Sequence, residues 1–148
     1  MQQQALSAIV AWVRLERALQ GFERDLKARH GITMLQLAVL HILTERPHMP
    51  LSALRRTLVM HPATLGQSID DLRRKRLCRV TTDPEDRRAR HIAITETGLA
   101  LVDAVPLAGP MRLRQFETDP ARLDRLTSSL ADAMALFGLD ESEAASPG

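Results

Sequence analysis

Residues 62–95 read PATLGQSIDDLRRKRLCRVTTDPEDRRARHIAIT, and the order of patterns inside this stretch decides the fold. Pro62 suits the first position of a helix, where the missing N–H would have no partner anyway. Leu65, Ile69 and Leu72 then recur at four- and three-residue intervals. They form one apolar stripe of a helix that runs to about Lys75. The period next changes to two. Cys78 and Val80, then Ile92 and Ile94, alternate with other residues as short strands do. Between them lies Asp83-Pro84-Glu85-Asp86-Arg87-Arg88-Ala89, rich in turn formers and in charge. The stretch predicts a helix followed by a β-hairpin with a long basic tip.

Upstream, Leu51, Leu54 and Leu58 mark a short helix on one face of residues 51–58. Val59-Met60-His61 joins it to the helix opened by Pro62. Two short helices with so tight a joint predict a helix-turn-helix, and the hairpin behind it makes a winged helix. Residues 4–30 read as one long amphipathic helix. Its seam is Trp12, Leu15, Leu19, Phe22 and Leu26, extended by Leu6 and Ile9, and Gly31 stops it. A helix of that length spans about 40 Å. That is long for a small globule, so part of it is expected to pack on a partner chain. Thr33 and Gln36 form a capping box for the next helix, with Ile32 and Leu37 as a hydrophobic staple. That helix must stop before Pro47. Downstream, Thr95 caps a helix through Leu101 and Val105, which Pro106 and Gly109-Pro110 should kink or break. Asp119-Pro120 starts the last helix, with Leu123, Leu126, Leu130, Met134 and Phe137 as its stripe and Gly138 as its end. The fold class is mainly α with a small β-hairpin wing.

Composition narrows the function. A chain of 148 residues can bury one real core, and its single cysteine excludes an internal disulfide framework. Aromatics make up only 3%, with no Tyr, which argues against a stacking platform for single strands. The net charge of +2 hides an uneven distribution. Residues 55–91 hold ten basic and five acidic side chains, whereas residues 92–148 hold four and nine. A basic middle before an acidic end points to a local nucleic-acid surface. No leader or membrane segment is read, so a cytoplasmic location is expected. Glycine-rich phosphate loops, nucleophile elbows and metal motifs are missing, so neither enzyme nor cofactor is expected. The histidines, His30, His41, His48, His61 and His91, are scattered without ligand spacing, which gives no metal site.

In a winged helix the second helix of the pair enters the major groove with its N-terminal residues toward base edges. Here those are His61, Ala63, Thr64, Gln67 and Ser68. Thr64, Gln67 and Ser68 can hydrogen-bond bases, and Ala63 offers a methyl-sized contact to thymine. The hairpin supplies Arg87, Arg88 and Arg90 for the minor groove, with Asp86 placed to hold the Arg88 side chain. Arg73 and Arg74 are candidate phosphate contacts. The plainer reading of each charge is a solvated face. A winged-helix module that binds another protein is the rival function. Cys78 reads first as a small buried hydrophobe, with oxidant sensing beside Arg76 and Arg79 as its alternative.

Asp86-Arg87-Arg88 followed by Ile92-Ala93-Ile94-Thr95-Glu96-Thr97-Gly98 resembles the wing of the MarR-type (multiple antibiotic resistance) regulators. Pro62-Ala63-Thr64 with Ile69-Asp70 and Leu72 is similar to their recognition helix, and the Thr33 capping box to the start of their second helix. Gly66, Gln67, His61 and Arg76 depart from the family's usual residues, Arg76 standing where a glycine is common. The resemblance implies a homodimer on double-stranded DNA with a pseudo-palindromic operator. It implies a dimerisation region at 1–32 and 97–138, a winged helix-turn-helix domain at 33–96, and repression relieved by a small aromatic or phenolic effector. Trp12 and Met34 are the candidate pocket residues, with core or dimer packing as their plainer role. Residues 139–148 read as a disordered tail.

Overall fold

The structure is a computed structural model that describes residues 2–58 and 62–140. It falls into two compact units, one reaching Ala108 and one starting at Gly109. The first unit contains α1 (Gln3–His30), α2 (Met34–Glu45), β1 (His48–Pro50), α3 (Leu51–Leu58), α4 (Pro62–Arg74), β2 (Cys78–Thr82), β3 (Arg90–Ile94) and α5 (Glu96–Ala104). The joint Val59-Met60-His61 and the tail beyond Asp140 lie outside the described residues.

The helix ends follow the local code. Gly31 takes the left-handed conformation, φ 70°, and its N–H reaches Lys27 O. Thr33 and Gln36 close a capping box: Thr33 Oγ1 accepts from Gln36 N at 3.1 Å and Gln36 Oε1 from Thr33 N at 2.9 Å. α4 ends differently. Arg76 N reaches Arg73 O at 2.9 Å and Leu77 N reaches Leu72 O at 3.0 Å, the paired bonds of a Schellman end. That motif needs a left-handed residue, and Arg76 adopts φ 59° without being glycine. Leu72 and Leu77, the two residues that flank this end, are both buried, so core packing holds the strained turn.

The expected hairpin is one strand short of what forms. β2 and β3 pair antiparallel from Cys78 opposite Ile94 to Thr82 opposite Arg90. β1 adds a third strand on the other side of β3, with Met49 opposite Ile92. Three residues ending in a proline carry no readable alternation. Pro50 is tolerated because β1 is an edge strand. Val105, expected within α5, is its extended C-cap instead.

The core lies between α2, the helix pair and the sheet. Ile32, Leu40, Leu43, Leu54, Leu65, Leu72 and Ile92 are all fully buried, with Leu26 of α1 joining from outside. Each such side chain removes apolar surface worth roughly 1.5–3 kcal/mol from water. The seam of α1 is covered only toward its C-terminal end. Leu26 is 2% exposed, whereas Leu6, Ile9, Trp12 and Leu15 are 40–50% exposed.

The second unit holds a 3-10 helix, Pro110–Phe116, and α6, Pro120–Leu136. Gly109-Pro110 breaks the chain as expected, and Asp119 caps α6 by accepting from Arg122 N at 3.3 Å. The guanidiniums of Arg112 and Arg122 lie 5.8 and 5.6 Å from the Phe116 ring centroid. Leu130, Met134 and Phe137 of the α6 stripe stay exposed.

Candidate nucleic-acid interface

α4 presents two faces. Leu65, Ile69 and Leu72 are buried, which turns Ala63, Thr64 and Gln67 outward. Ser68 is half-buried, and it is the Ser68 backbone that is engaged: Gln36 Nε2 donates to Ser68 O at 3.2 Å. The same amide donates to Asp71 Oδ2 at 2.7 Å. Lys75 Nζ donates to that carboxylate oxygen at 2.8 Å and also to Gly31 O. α4 is therefore tied along its length to the turn between α1 and α2. The Lys75 ammonium, then the Gln36 amide, hold the Asp71 carboxyl below its usual range despite some burial. Gln36 is the one buried polar side chain among the described residues. The sequence reading assigned it a cap and missed this longer reach.

Arg73 and Arg74 sit at the far end of α4, next to Asp70 at 3.6 Å and Asp71 at 3.7 Å. These exposed pairs are weak, but they lower the local positive charge. The wing is built differently. Its loop is closed by Asp83 N to Ala89 O at 2.9 Å and Ala89 N to Asp86 O at 3.0 Å. Asp83 Oδ1 accepts from Glu85 N at 2.9 Å, and Asp86 Oδ1 accepts from Arg88 N at 3.0 Å. This corrects the expectation for Asp86. Its carboxylate orders the backbone of the turn and makes no ion pair with the Arg88 guanidinium, because a side chain so short meets the nearer amide first. Arg87, Arg88 and Arg90 are exposed and have no ion pair among the described residues. At the base of the wing His91 stacks on His48, with centroids 4.8 Å apart, and its Nε2 lies 3.4 Å from Asp83 Oδ2. The Glu85 N–H, followed by His91, keeps the Asp83 carboxyl below its usual range.

A cleft of about 210 Å³ opens between the start of α3 and the root of the wing, lined by Arg55, Arg88 and Arg90. Arg55 was not singled out from sequence. Only the charge count of its segment hinted at it.

The remaining candidates fall elsewhere. His61 lies outside the described residues. Cys78 is 1% exposed, and burial pushes its thiol up to about 11 even though Arg73 pulls it down. The thiol is therefore protonated at neutral pH, which removes the thiolate that oxidant sensing requires. No group of three His, Cys, Asp or Glu side chains among the described residues can hold a metal ion. No helix among them is long and apolar enough to cross a membrane. A cavity of about 340 Å³ is lined by Phe22, Asp25, Arg29 and His30 of α1 and by Val105 and Pro106 beyond α5. Trp12 and Met34 do not line it. Met34 packs against the core and Trp12 sits on the exposed seam of α1.

This geometry has known counterparts. A sequence model of the MarR family matches residues 32–89, the span from the α2 cap to the wing. The HTH-type transcriptional regulator MhqR of Bacillus subtilis (strain 168) is 23% identical over 132 residues, covering 89% of this chain and 84% of the relative. Among solved structures, AbsC, a MarR family transcriptional regulator from Streptomyces coelicolor, superposes with a TM-score of 0.64 at 25% identity, over 93% of this chain and 97% of AbsC. A mutant MarR from E. coli complexed with operator DNA superposes with a TM-score of 0.57 at 21% identity, over 83% of this chain and 95% of that one. From the α2 cap through the arginine-tipped wing, residues 32–89 carry the sequence pattern of the MarR family, and the chain as a whole is similar to MarR-type regulators in sequence and in fold.

Proposed function

We propose that the protein is a cytoplasmic transcription regulator that binds double-stranded DNA as a homodimer and represses from a pseudo-palindromic operator. One observation carries the reading. The same compact unit exposes hydrogen-bonding side chains on α4, Thr64 and Gln67, and arginines without ion pairs on the wing. Ala63, Thr64, Gln67 and the edge of Ser68 would read the major groove, and Arg87, Arg88 and Arg90 the adjacent minor groove. The structure of a relative complexed with operator DNA supports the mode of docking. The exposed seam of α1 and the stripe of α6 support a second copy as the partner, because isolated monomers rarely leave apolar rows this long in water. The cavity beside Phe22 and Arg29 is a place for a small aromatic anion, which would make repression ligand-responsive.

The test is binding to fragments of the gene's own upstream region, read by fluorescence anisotropy across a salt series. Affinity falls steeply with salt, by roughly 0.9 of log–log slope per phosphate neutralised. Arg88→Ala weakens binding about 10-fold or more, on the order expected for one lost groove contact. A parent protein that ignores duplex DNA at low salt, or an Arg88→Ala variant that binds as well as the parent, refutes the assignment.

A further inference from the structure

We infer that the cleft between α3 and the wing is a seat for one DNA backbone phosphate, with Arg55 as its third cationic wall. The inference rests on the DNA-binding reading above and adds to it a residue outside both the recognition helix and the wing. Arg55 comes from the middle of α3, and Arg88 and Arg90 come from the wing loop and the start of β3. Two regions far apart in sequence thus bring three arginines to the lining of one opening of about 210 Å³, together with Pro50, Leu51, Ser52 and Ala89.

No acidic side chain lines this cleft. None of the three arginines has an ion pair among the described residues. The contrast with Arg73 and Arg74, each beside an aspartate on its own helix, is direct. Like charges gathered without a counter-charge raise the local potential and favour an anion of matching geometry. A guanidinium binds phosphate oxygens through paired N–H donors, so arginine is the side chain suited to this anion. The occupant must also be compatible with a wing lying in the minor groove, whose edges are the phosphates that border it. A phosphate of the same duplex satisfies that, whereas a free anion would compete with it.

Such a contact carries no base information. It fixes how far the wing lies from α3 on the duplex, and so sets the register in which Thr64 and Gln67 meet their bases. Arg55 is in this sense a positioning residue rather than a reading one.

The experiment compares the parent with Arg55→Ala, Arg55→Lys and Arg56→Ala, the last removing a neighbouring arginine that does not line the cleft. Affinity is measured across a salt series on operator and random duplexes. Arg55→Ala should lower the slope by about 0.9 per protomer, and affinity by about 8-fold per protomer at 0.1 M salt, equally on both duplexes. Arg55→Lys should keep the slope, and Arg56→Ala should leave it unchanged. Duplexes carrying single neutral methylphosphonates then locate the contact. One position should weaken the parent and leave Arg55→Ala unaffected. An unchanged slope in Arg55→Ala, with a parent that binds normally, overturns the cleft and leaves the function standing. Protection of Arg55 from phenylglyoxal by inorganic phosphate, with no sensitive methylphosphonate position, marks a free-anion site and also overturns it. A parent that binds no duplex refutes the function itself, and the inference falls with it.

Discussion

Adding one methyl group to a helix glycine should have opposite effects at two places in this chain. Gly98 lies in the first turn of α5, where that helix presses on the turn between α4 and β2. A Cβ built at Gly98 would stand 2.3 Å from Leu77 O, 2.8 Å from Ile94 Cγ1 and 3.3 Å from Leu77 C. An ordinary carbon–oxygen contact is about 3.3 Å or more, so backbone must retreat by about 1 Å. That backbone is occupied. Leu77 O accepts from Thr95 N at 3.2 Å, and Thr95 Oγ1 donates to Arg76 O at 2.7 Å while accepting from Gly98 N at 3.0 Å. Overpacking of this kind costs about 1–3 kcal/mol, and each hydrogen bond lost adds about 0.5–1.5 kcal/mol. The gain in helix propensity from Gly to Ala returns only about 1 kcal/mol. With one hydrogen bond lost, Gly98→Ala should therefore destabilise by about 0.5–3.5 kcal/mol.

Gly66 is the control. A Cβ there meets nothing within 4 Å, and the residue sits inside α4. Gly66→Ala should stabilise by about 1 kcal/mol through propensity alone. Urea unfolding followed by circular dichroism, at one fixed protomer concentration, measures both. The midpoint should fall for Gly98→Ala and rise for Gly66→Ala, with similar m-values. A Gly98→Ala protein as stable as its parent would mean that α5 does not approach Leu77 as described, and the docking of α5 onto the winged unit would have to be redrawn.

Arg76→Gly should raise stability by about 1 kcal/mol, because glycine meets the left-handed turn after α4 without strain; a lower melting temperature would refute this. Cys78 should resist iodoacetamide at pH 8 in the native protein and react once urea unfolds it, since the buried thiol is pushed up to about 11; rapid native labelling would contradict its burial. The depressed Asp71 carboxyl contributes stability above the ordinary carboxylate pKa, and that contribution is lost as pH falls through its lower folded value. Asp71→Asn should therefore reduce stability at pH 7 and flatten the acid limb of the stability profile, whereas an unchanged acid limb would remove Asp71 from that role.

The local code of this fold was open to reading, and the long-range part was not. The Thr33 capping box, the Gly31 stop, the prolines that open α4 and α6, and the Thr95 cap each depend on residues within a few positions of one another. Their chemistry is therefore complete in the sequence. β1 is different, because its three residues become a strand only by pairing with β3, more than forty positions away. The reach of Gln36 to Ser68 and Asp71 is hidden for the same reason. So is Arg55, whose neighbours in the cleft belong to the wing. The readable part of the candidate site lay within one local pattern, the α4 stripe or the hairpin tip. What needed coordinates was the assignment of carboxylates, since Asp86 has both a backbone amide and a guanidinium within reach.

That assignment explains how the wing can present positive charge while its formal charge is zero. Residues 83–90 contain three acids and three arginines. On α4, where spacing by three places acid beside base, Asp70 and Asp71 approach Arg73 and Arg74 and blunt them. In the wing, Asp83 and Asp86 accept from the backbone N–H groups of Glu85 and Arg88. With one oxygen bonded to the backbone, each of these carboxylates is held at the turn, and neither pairs with an arginine among the described residues. The loop therefore separates its charges, with Asp83 and Asp86 bound to its backbone and arginines without partners at its surface and in the cleft beside α3. A net charge counted along the sequence ranks the α4 end, with its run from Arg73 to Arg76, above the wing. The distribution in space reverses that order, because which acids are already engaged matters more than how many there are.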